Sequence, residues 1–194
     1  MKEKTDWEAR YQEGNTGWDI GEISSPLKAY FDQLTNKEIR ILIPGGGNGY
    51  EAAYLFDRGF KNVTLLDIAP SPLQAFQKSY PDFPKDQLIC QDFFKHREQY
   101  DLIVEQTFFC AIDPELRAAY ARKVYELLNP SGKLVGLLWS VPLNEDHPPY
   151  GGSKKEYHRY FDPYFDYLHF EEAYNSIPPR AGREIFICAK KKVN

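Results

Sequence analysis

Three glycines, Gly45, Gly47 and Gly49, follow the apolar run Ile39-Arg40-Ile41-Leu42-Ile43 and Pro44. A stretch of helical character, Tyr50 to Arg58, comes directly after them and stops at Gly59, a residue suited to a helix C-terminus. A glycine turn between strand and helix lets main chain approach a ligand, because no side chain fills the space. The same turn also serves simply as a tight connection. Asp67 stands 20 residues beyond Gly47, at the end of the next apolar run, Val63-Thr64-Leu65-Leu66. In a doubly wound fold, an acid there accepts hydrogen bonds from ribose hydroxyls. The chemistry implied is nucleoside recognition. The dinucleotide pattern GxGxxG needs glycine where Tyr50 stands, and no Gly-Lys-Ser or Gly-Lys-Thr follows for a triphosphate loop. A nicotinamide oxidoreductase and an ATP-binding loop are therefore disfavoured. S-adenosylmethionine, with a ribose and an amino-acid tail but no phosphate, suits the spacing. Cys90-Gln91-Asp92-Phe93-Phe94 adds a third element. Asp92 could accept from an adenine amino group while Phe93 packs the ring. A loop aspartate capping a short helix fits Asp92 equally well.

These residues need a scaffold, and the chain reads as one. Ser25-Pro26 followed by Leu27, Tyr30, Phe31 and Leu34 on one face predicts a helix capped by Ser25. Strands are expected at 39–43, 63–67, 87–90, 100–105 and 133–141. Helices are expected at 50–58, 70–80 and 114–128, with Asn129-Pro130-Ser131-Gly132 as a turn. Strands alternating with helices indicate βαβ units and a parallel sheet, and continuously apolar strands fit burial on both faces. Phe165 to Glu172 and Glu184 to Lys190 suggest a terminal antiparallel hairpin. Tyr11 to Ser24 and Pro142 to Ser153 resist assignment. Long loops of this kind in compact domains are often functional.

Composition bounds the function. The 194 residues carry 24 Lys+Arg and 28 Asp+Glu, a net charge of −4, which argues against general nucleic-acid or anionic-membrane binding. Cys90, Cys110 and Cys188 give no disulfide framework and no CxxC pair. His96, His147, His158 and His169 have no metal-site spacing; His147 suits an exposed loop position near Tyr150. The charged start Met1 to Asp6 lacks an apolar leader, and no run reaches the length of a membrane span. A cytoplasmic monomer of one domain is expected, divided into an N-terminal cap and helix (1–36), a cofactor-binding core (37–141), and a substrate loop with hairpin (142–194).

The ordered set Trp7…Tyr11, Thr16-Gly17-Trp18-Asp19-Ile20-Gly21, Leu42-Ile43-Pro44-Gly45-Gly46-Gly47, Leu66-Asp67-Ile68, Gln91-Asp92-Phe93-Phe94, Tyr100-Asp101-Leu102-Ile103, Thr107 to Pro114 and Pro148-Pro149-Tyr150 resembles the thiopurine S-methyltransferase superfamily. It looks closest to the halide/thiol methyltransferase branch. The resemblance covers about residues 7 to 150. It implies an α/β fold, a Rossmann-like class I methyltransferase with a mostly parallel seven-stranded sheet, a C-terminal antiparallel hairpin and an N-terminal segment over the cofactor. Carried over, Trp7, Tyr11 and Trp18 lie near the methionine end or the substrate. Gly45 and Gly47 meet S-adenosylmethionine through main chain, Asp67 the ribose, and Asp92 with Phe93 the adenine. Gln106 stands where relatives often carry a larger aromatic or basic residue. Ile43 replaces an acid common in methyltransferases at large.

The implied reaction is methyl transfer to a small soft nucleophile: a thiol, hydrosulfide, thiopurine-like thiol or halide. Such an acceptor, as an anion, has no proton to remove, so positioning and exclusion of water matter more than a general base. Trp7, Tyr11, Trp18, Phe108, Phe109 and Tyr150 could line a dry pocket attractive to a sulfonium. Phe108 and Phe109 read equally well as core. Tyr150 is the residue expected to orient the substrate, although a surface loop tyrosine would have the same sequence. Pro148-Pro149-Tyr150 resembles the end of the Asn-Pro-Pro-Tyr motif of amino-group methyltransferases, but it follows the fifth strand rather than the fourth, which argues against amino-group methylation. A non-catalytic S-adenosylmethionine-binding module on the same fold is the alternative, motivated by the absence of an unambiguous acid or base.

Overall fold

The computed structural model describes residues 5–193; Met1 to Lys4, which hold most of the charged start, and Asn194 lie outside the described residues. Seven strands, β1 (Arg40–Pro44), β2 (Asn62–Asp67), β3 (Leu88–Cys90), β4 (Tyr100–Gln106), β5 (Leu128–Trp139), β6 (Phe165–Glu172) and β7 (Glu184–Lys191), form one sheet in the order β3-β2-β1-β4-β5-β7-β6. Pairings from β3 through to β5 are parallel, and β7 runs antiparallel to both β5 and β6. The expected mostly parallel sheet with a terminal antiparallel hairpin is what forms. Strand order reverses between β1 and β4, and ligands in open α/β sheets bind at that point, beyond the carboxyl ends of the strands.

The described residues form six α-helices, α1 (Trp7–Gln12), α2 (Ser25–Phe31), α3 (Tyr50–Asp57), α4 (Pro70–Ser79), α5 (Arg117–Leu127) and α6 (Lys154–Phe161), of which α1 packs on α4 rather than on the sheet. Alternate strand residues divide the core in two. Ile41, Ile43, Leu65, Leu102 and Val104 pack with Leu27, Phe31, Leu55 and Phe76 from α2, α3 and α4. Leu42, Leu66, Ile103 and Leu134 pack with Tyr120, Val124, Tyr157 and Phe161 from α5 and α6 on the other face. This period of two makes each central strand apolar throughout.

Local boundaries differ from expectation for identifiable reasons. The cap of α2 is Ser24, not Ser25, and its side chain makes no capping bond. The expected helix at 114–128 starts as a 3-10 turn over Pro114–Leu116 before α5 begins. Asn129 to Gly132 is no free turn: it lies within β5, as an irregularity where pairing with β4 jumps from Tyr100–Leu128 to Leu102–Lys133, with Ser131 at φ 66°. β5 ends at Trp139 rather than Val141. Two helices had no expectation. Asp6 caps α1 by accepting from Ala9 N at 3.0 Å. Ser153 caps α6 by accepting from Glu156 N at 3.2 Å.

Candidate active site

At the carboxyl ends of β1, β2 and β4, the three glycines take left-handed backbone, with φ of 59° at Gly45, 51° at Gly47 and 75° at Gly49. Only glycine adopts this region without strain. A Cβ on Gly47 would overlap the Tyr11 hydroxyl, and one on Gly45 would overlap the Phe108 ring. The turn is therefore closed from above by α1 and from the side by the loop after β4. Asp67 ends β2 beneath it, buried, with Oδ2 accepting from Gly47 N and Oδ1 from Ala69 N, both at 2.9 Å. Burial pushes its carboxyl above the ordinary value, partly offset by these main-chain donors.

A cavity of about 480 Å³ opens beside this turn. It brings together Trp7, Tyr11, Trp18, Gly45, Asp67, Asp92, Phe93 and Tyr150, from five separate parts of the chain. A smaller adjoining pocket of about 50 Å³ holds Gly47 and Gln106, together with Asp19, Asn48 and Tyr50; Tyr11, Trp18, Gly45 and Thr107 border both. Trp18 meets the rings of Trp7 and Tyr11 edge-on, at 5.5 and 5.7 Å between centroids. Asp92 does cap a short turn, accepting from Phe94 N at 3.0 Å at the head of Phe93–Lys95, and it also lines the large cavity. The two readings of that residue are compatible, because one carboxylate oxygen serves the cap. Phe109 does not reach the cavity: it is buried among Tyr120, Tyr157 and Phe161, whereas its neighbour Phe108 lines the wall. Tyr150 is 6% exposed rather than lying on the surface. His147 is exposed and outside the cavity lining.

Several residues of the site carried no expectation. Asp19 accepts from Gly21 N at 2.7 Å, from Asn48 Nδ2 at 2.5 Å and from the Tyr50 hydroxyl at 3.2 Å. Its carboxylate thus faces the residues at the start of α3, which disfavours a phosphate at that helix N-terminus and agrees with Tyr50 as the departure from a dinucleotide pattern. Glu105 is buried behind the wall; Oε1 accepts from Phe108 N and Phe109 N, both at 2.8 Å, and Oε2 from the Tyr120 hydroxyl at 2.5 Å. These bonds hold the turn that starts at Thr107 (φ 57°) and presents Phe108. Burial raises the Glu105 carboxyl to about 7 despite them. Cys110 lines the cavity, and burial pushes its thiol up to about 12.

Residues 2–192 match the family described as thiopurine S-methyltransferase. The chain belongs to the thiopurine S-methyltransferase family. It is 33% identical over 188 residues to thiocyanate methyltransferase 1 of Brassica oleracea, covering 94% of this chain and 83% of that protein. It is 24% identical to the thiopurine S-methyltransferase of Vibrio campbellii, over 84% of each chain. Among solved structures, the 1,6-didemethyltoxoflavin-N1-methyltransferase of Burkholderia thailandensis, with bound 1,6-didemethyltoxoflavin and S-adenosylhomocysteine, superposes with a TM-score of 0.74 at 15% identity, covering 98% of this chain and 87% of that one. The glycopeptide N-methyltransferase MtfA, complexed with S-adenosylhomocysteine, gives 0.69 at 16% identity, covering 99% and 100%. At such identities the likeness concerns the fold: the class I methyltransferase sheet.

This member of the thiopurine S-methyltransferase family is accordingly an S-adenosylmethionine-dependent methyltransferase, and its site fits that cofactor. Gln106 Oε1 is buried without a hydrogen-bond partner and belongs to the smaller pocket. A lone buried acceptor is costly unless a ligand donor meets it, and an amino-acid ammonium is such a donor. The bare glycine turn and buried Asp67 suit a nucleoside.

Proposed function

We propose that this methyltransferase methylates a small soft nucleophile, such as hydrosulfide, thiocyanate, a thiolate, an aromatic thiol or a halide. The observation that carries the reading is the large cavity itself: Trp7, Trp18, Phe93, Phe108 and Tyr150 give it aromatic walls, and none of its described lining residues is a histidine. Relatives named for thiocyanate, thiol and thiopurine acceptors support the same range.

Asp67 would hold the ribose diol, Asp92 and Phe93 the adenine, and the backbone of Gly45 and Gly47 the body of the cofactor, with Gln106 at the amino-acid tail. Trp7, Tyr11 and Trp18 close over them from the N-terminal side. When bound, S-adenosylmethionine supplies a methyl group on a positively charged sulfur. The protein has then to orient the acceptor and keep water out, because a soft anion needs no base. Tyr150 is the orienting residue. Its N donates to the Cys110 carbonyl at 2.7 Å, and Arg117 donates to the Gly151 carbonyl at 2.9 Å and to that of Tyr150 at 3.4 Å, which support a fixed ring position. Cys110, held neutral by burial, does not compete for the methyl group.

The surroundings of this reaction are read the same way. No helix among the described residues is long and apolar enough to cross a membrane. The net charge of −4 supports a protein without nucleic-acid or membrane partners. A cytoplasmic monomer whose whole chain, 1–194, acts as one domain completes the proposal. Headspace gas chromatography with hydrosulfide, thiocyanate, a small thiol and iodide as competing acceptors tests it. A volatile methylated product is expected. Folded protein that binds S-adenosylhomocysteine but methylates none of these acceptors would refute the assignment of acceptor class.

A further inference from the structure

We propose that Arg10 is a specificity-determining residue that selects the acceptor by its negative charge. The inference rests on the methyl-transfer reading above and goes further by assigning a cation to the acceptor end of the cavity.

Arg10 lies on α1 three residues after Trp7 and one before Tyr11, so the three share one side of the helix. Its guanidinium carbon sits 5.4 Å from the centre of the Trp7 ring and 5.8 Å from that of Trp18. The two indoles stand nearly perpendicular, at 83°, and the guanidinium lies against both; its planar fork of donors suits an anion. Among the described residues no carboxylate stands within ion-pair distance of it. The acids that share the cavity are engaged elsewhere. Asp67 accepts from Gly47 and Ala69, Asp92 from Phe94 and Asp113 from Glu115.

Arg10 is the one cation among the described lining residues of the large cavity, and it does not border the smaller pocket. Trp18, one of the two indoles Arg10 lies against, borders both spaces together with Tyr11, so the junction between them runs beside that indole. The sulfur of the cofactor joins its nucleoside to its amino-acid tail, and therefore belongs at that junction. A soft nucleophile must approach the methyl group there. With no carboxylate partner among the described residues, a guanidinium beside an aromatic wall attracts an anion more strongly than it would in bulk water. Thiocyanate, hydrosulfide, a thiolate and iodide gain from this contact; a neutral sulfur acceptor of similar size does not.

The test compares full-length wild type with Arg10→Met, which keeps the packing between the indoles, and Arg10→Lys, which keeps the charge. Calorimetry measures S-adenosylhomocysteine binding first, then thiocyanate binding to the protein–S-adenosylhomocysteine complex. Steady-state kinetics compare thiocyanate with thiourea, a neutral soft acceptor. In Arg10→Met, the thiocyanate Kd and KM should rise at least about tenfold, as expected for loss of a hydrogen bond to a charged partner. Its kcat should change less than about threefold, and both the thiourea KM and S-adenosylhomocysteine Kd less than about twofold, because the binding removed is specific to an anion and common to its ground and transition states. Arg10→Lys should recover most of the thiocyanate binding. Equal loss for both acceptors, an unchanged thiocyanate KM, or a weakened S-adenosylhomocysteine Kd would overturn the assignment; the last would place Arg10 on the cofactor instead. Failure of folded wild type to bind S-adenosylhomocysteine at all would instead overturn the methyltransferase reading on which this one stands.

Discussion

Asp67 and Gly47 form one unit, since the Gly47 N–H donates to the Asp67 carboxylate at 2.9 Å across the glycine turn. Asp67→Ala removes that bond together with the proposed ribose acceptor, and should weaken S-adenosylhomocysteine binding at least about tenfold by calorimetry. Gly47→Ala should do the same for another reason, because a left-handed φ of 51° strains any side chain even after Tyr11 is trimmed. The double variant Tyr11→Phe/Gly47→Ala should therefore stay weak in the same titration, and full recovery would show that space alone decides. Glu105 gives a pH signature. Its folded carboxyl titrates near 7 against an ordinary 4.5, so the folded chain holds a proton there that the unfolded chain has lost. The group's contribution to stability is full below about pH 4.5, falls as pH rises toward 7 and is constant above that. Glu105→Gln keeps an acceptor for Phe108 N and Phe109 N and removes the charge. The fall in Tm between pH 5 and 8 should be shallower in this variant than in wild type, and an unchanged slope would assign the pH dependence elsewhere. The residue scale was well exposed to sequence reasoning for Gly45, Gly47 and Asp67, because their spacing follows from strand, turn and helix lengths. It was poorly exposed for Glu105 and Asp19, whose partners come from the loop after β4, from α5 and from the start of α3.

The elements around the acceptor wall are tied by one buried cation. Arg117 on α5 pairs with Glu156 on α6 at 2.8 Å, donates to the Gly151 carbonyl and lies over the Phe109 ring at 4.8 Å. Arg117→Met should cost on the order of 1–2 kcal/mol in denaturant unfolding, because the Gly151 carbonyl loses its donor while Glu156 stays partly solvated. It should also raise the acceptor KM more than the S-adenosylhomocysteine Kd, because Tyr150 loses its anchor while Asp67 and Gly47 keep theirs. Equal effects on both would mean that the tie only stabilises the fold. Neither α6 nor α1 was read from the sequence, though both carried signals. Ser153 followed by Glu156, with Tyr157, Tyr160 and Phe161 on one face, is a capping box ahead of an amphipathic helix. Asp6 before Trp7 plays the same part for α1, which at six residues is too short for periodicity to show. The Asn129–Gly132 segment misled in the other direction: its turn residues are real, and the cost of the irregular Ser131 conformation is absorbed by pairing of β5 with β4 and β7 on either side.

Across the whole molecule, the N-terminal segment that borders the cavity is fastened by the far end of the chain. Arg180, in the loop between β6 and β7, donates to the Trp18 carbonyl at 2.8 Å and to Glu184 at 3.2 Å, while the Ser176 hydroxyl donates to the second Glu184 oxygen at 2.8 Å. Glu8 on α1 accepts from Ser71 N at 3.0 Å and from the Ser71 hydroxyl, fixing the cap to α4. Arg180→Met leaves Glu184 buried and unpaired, so it should destabilise more than Arg180→Met/Glu184→Gln. Both should weaken S-adenosylhomocysteine binding alike, because in both the Trp18 carbonyl has lost its donor. Recovery of affinity in the double variant would show that Arg180 acts only through stability. The sequence by itself determined the α/β class, the parallel core, the glycine turn with Asp67 and the cofactor class. These depend on local periodicity, backbone freedom and short spacings, which are written along the chain. Only the tertiary structure decided that Phe108 faces the cavity while Phe109 turns into the core, that Tyr150 is buried against Cys110 and Arg117, and that Arg10 meets two indoles but, among the described residues, no carboxylate. The first two outcomes depend on contacts between segments tens of residues apart, and the third on how the loop carrying Trp18 folds back onto α1; in each, small changes in register choose among side chains of the same type.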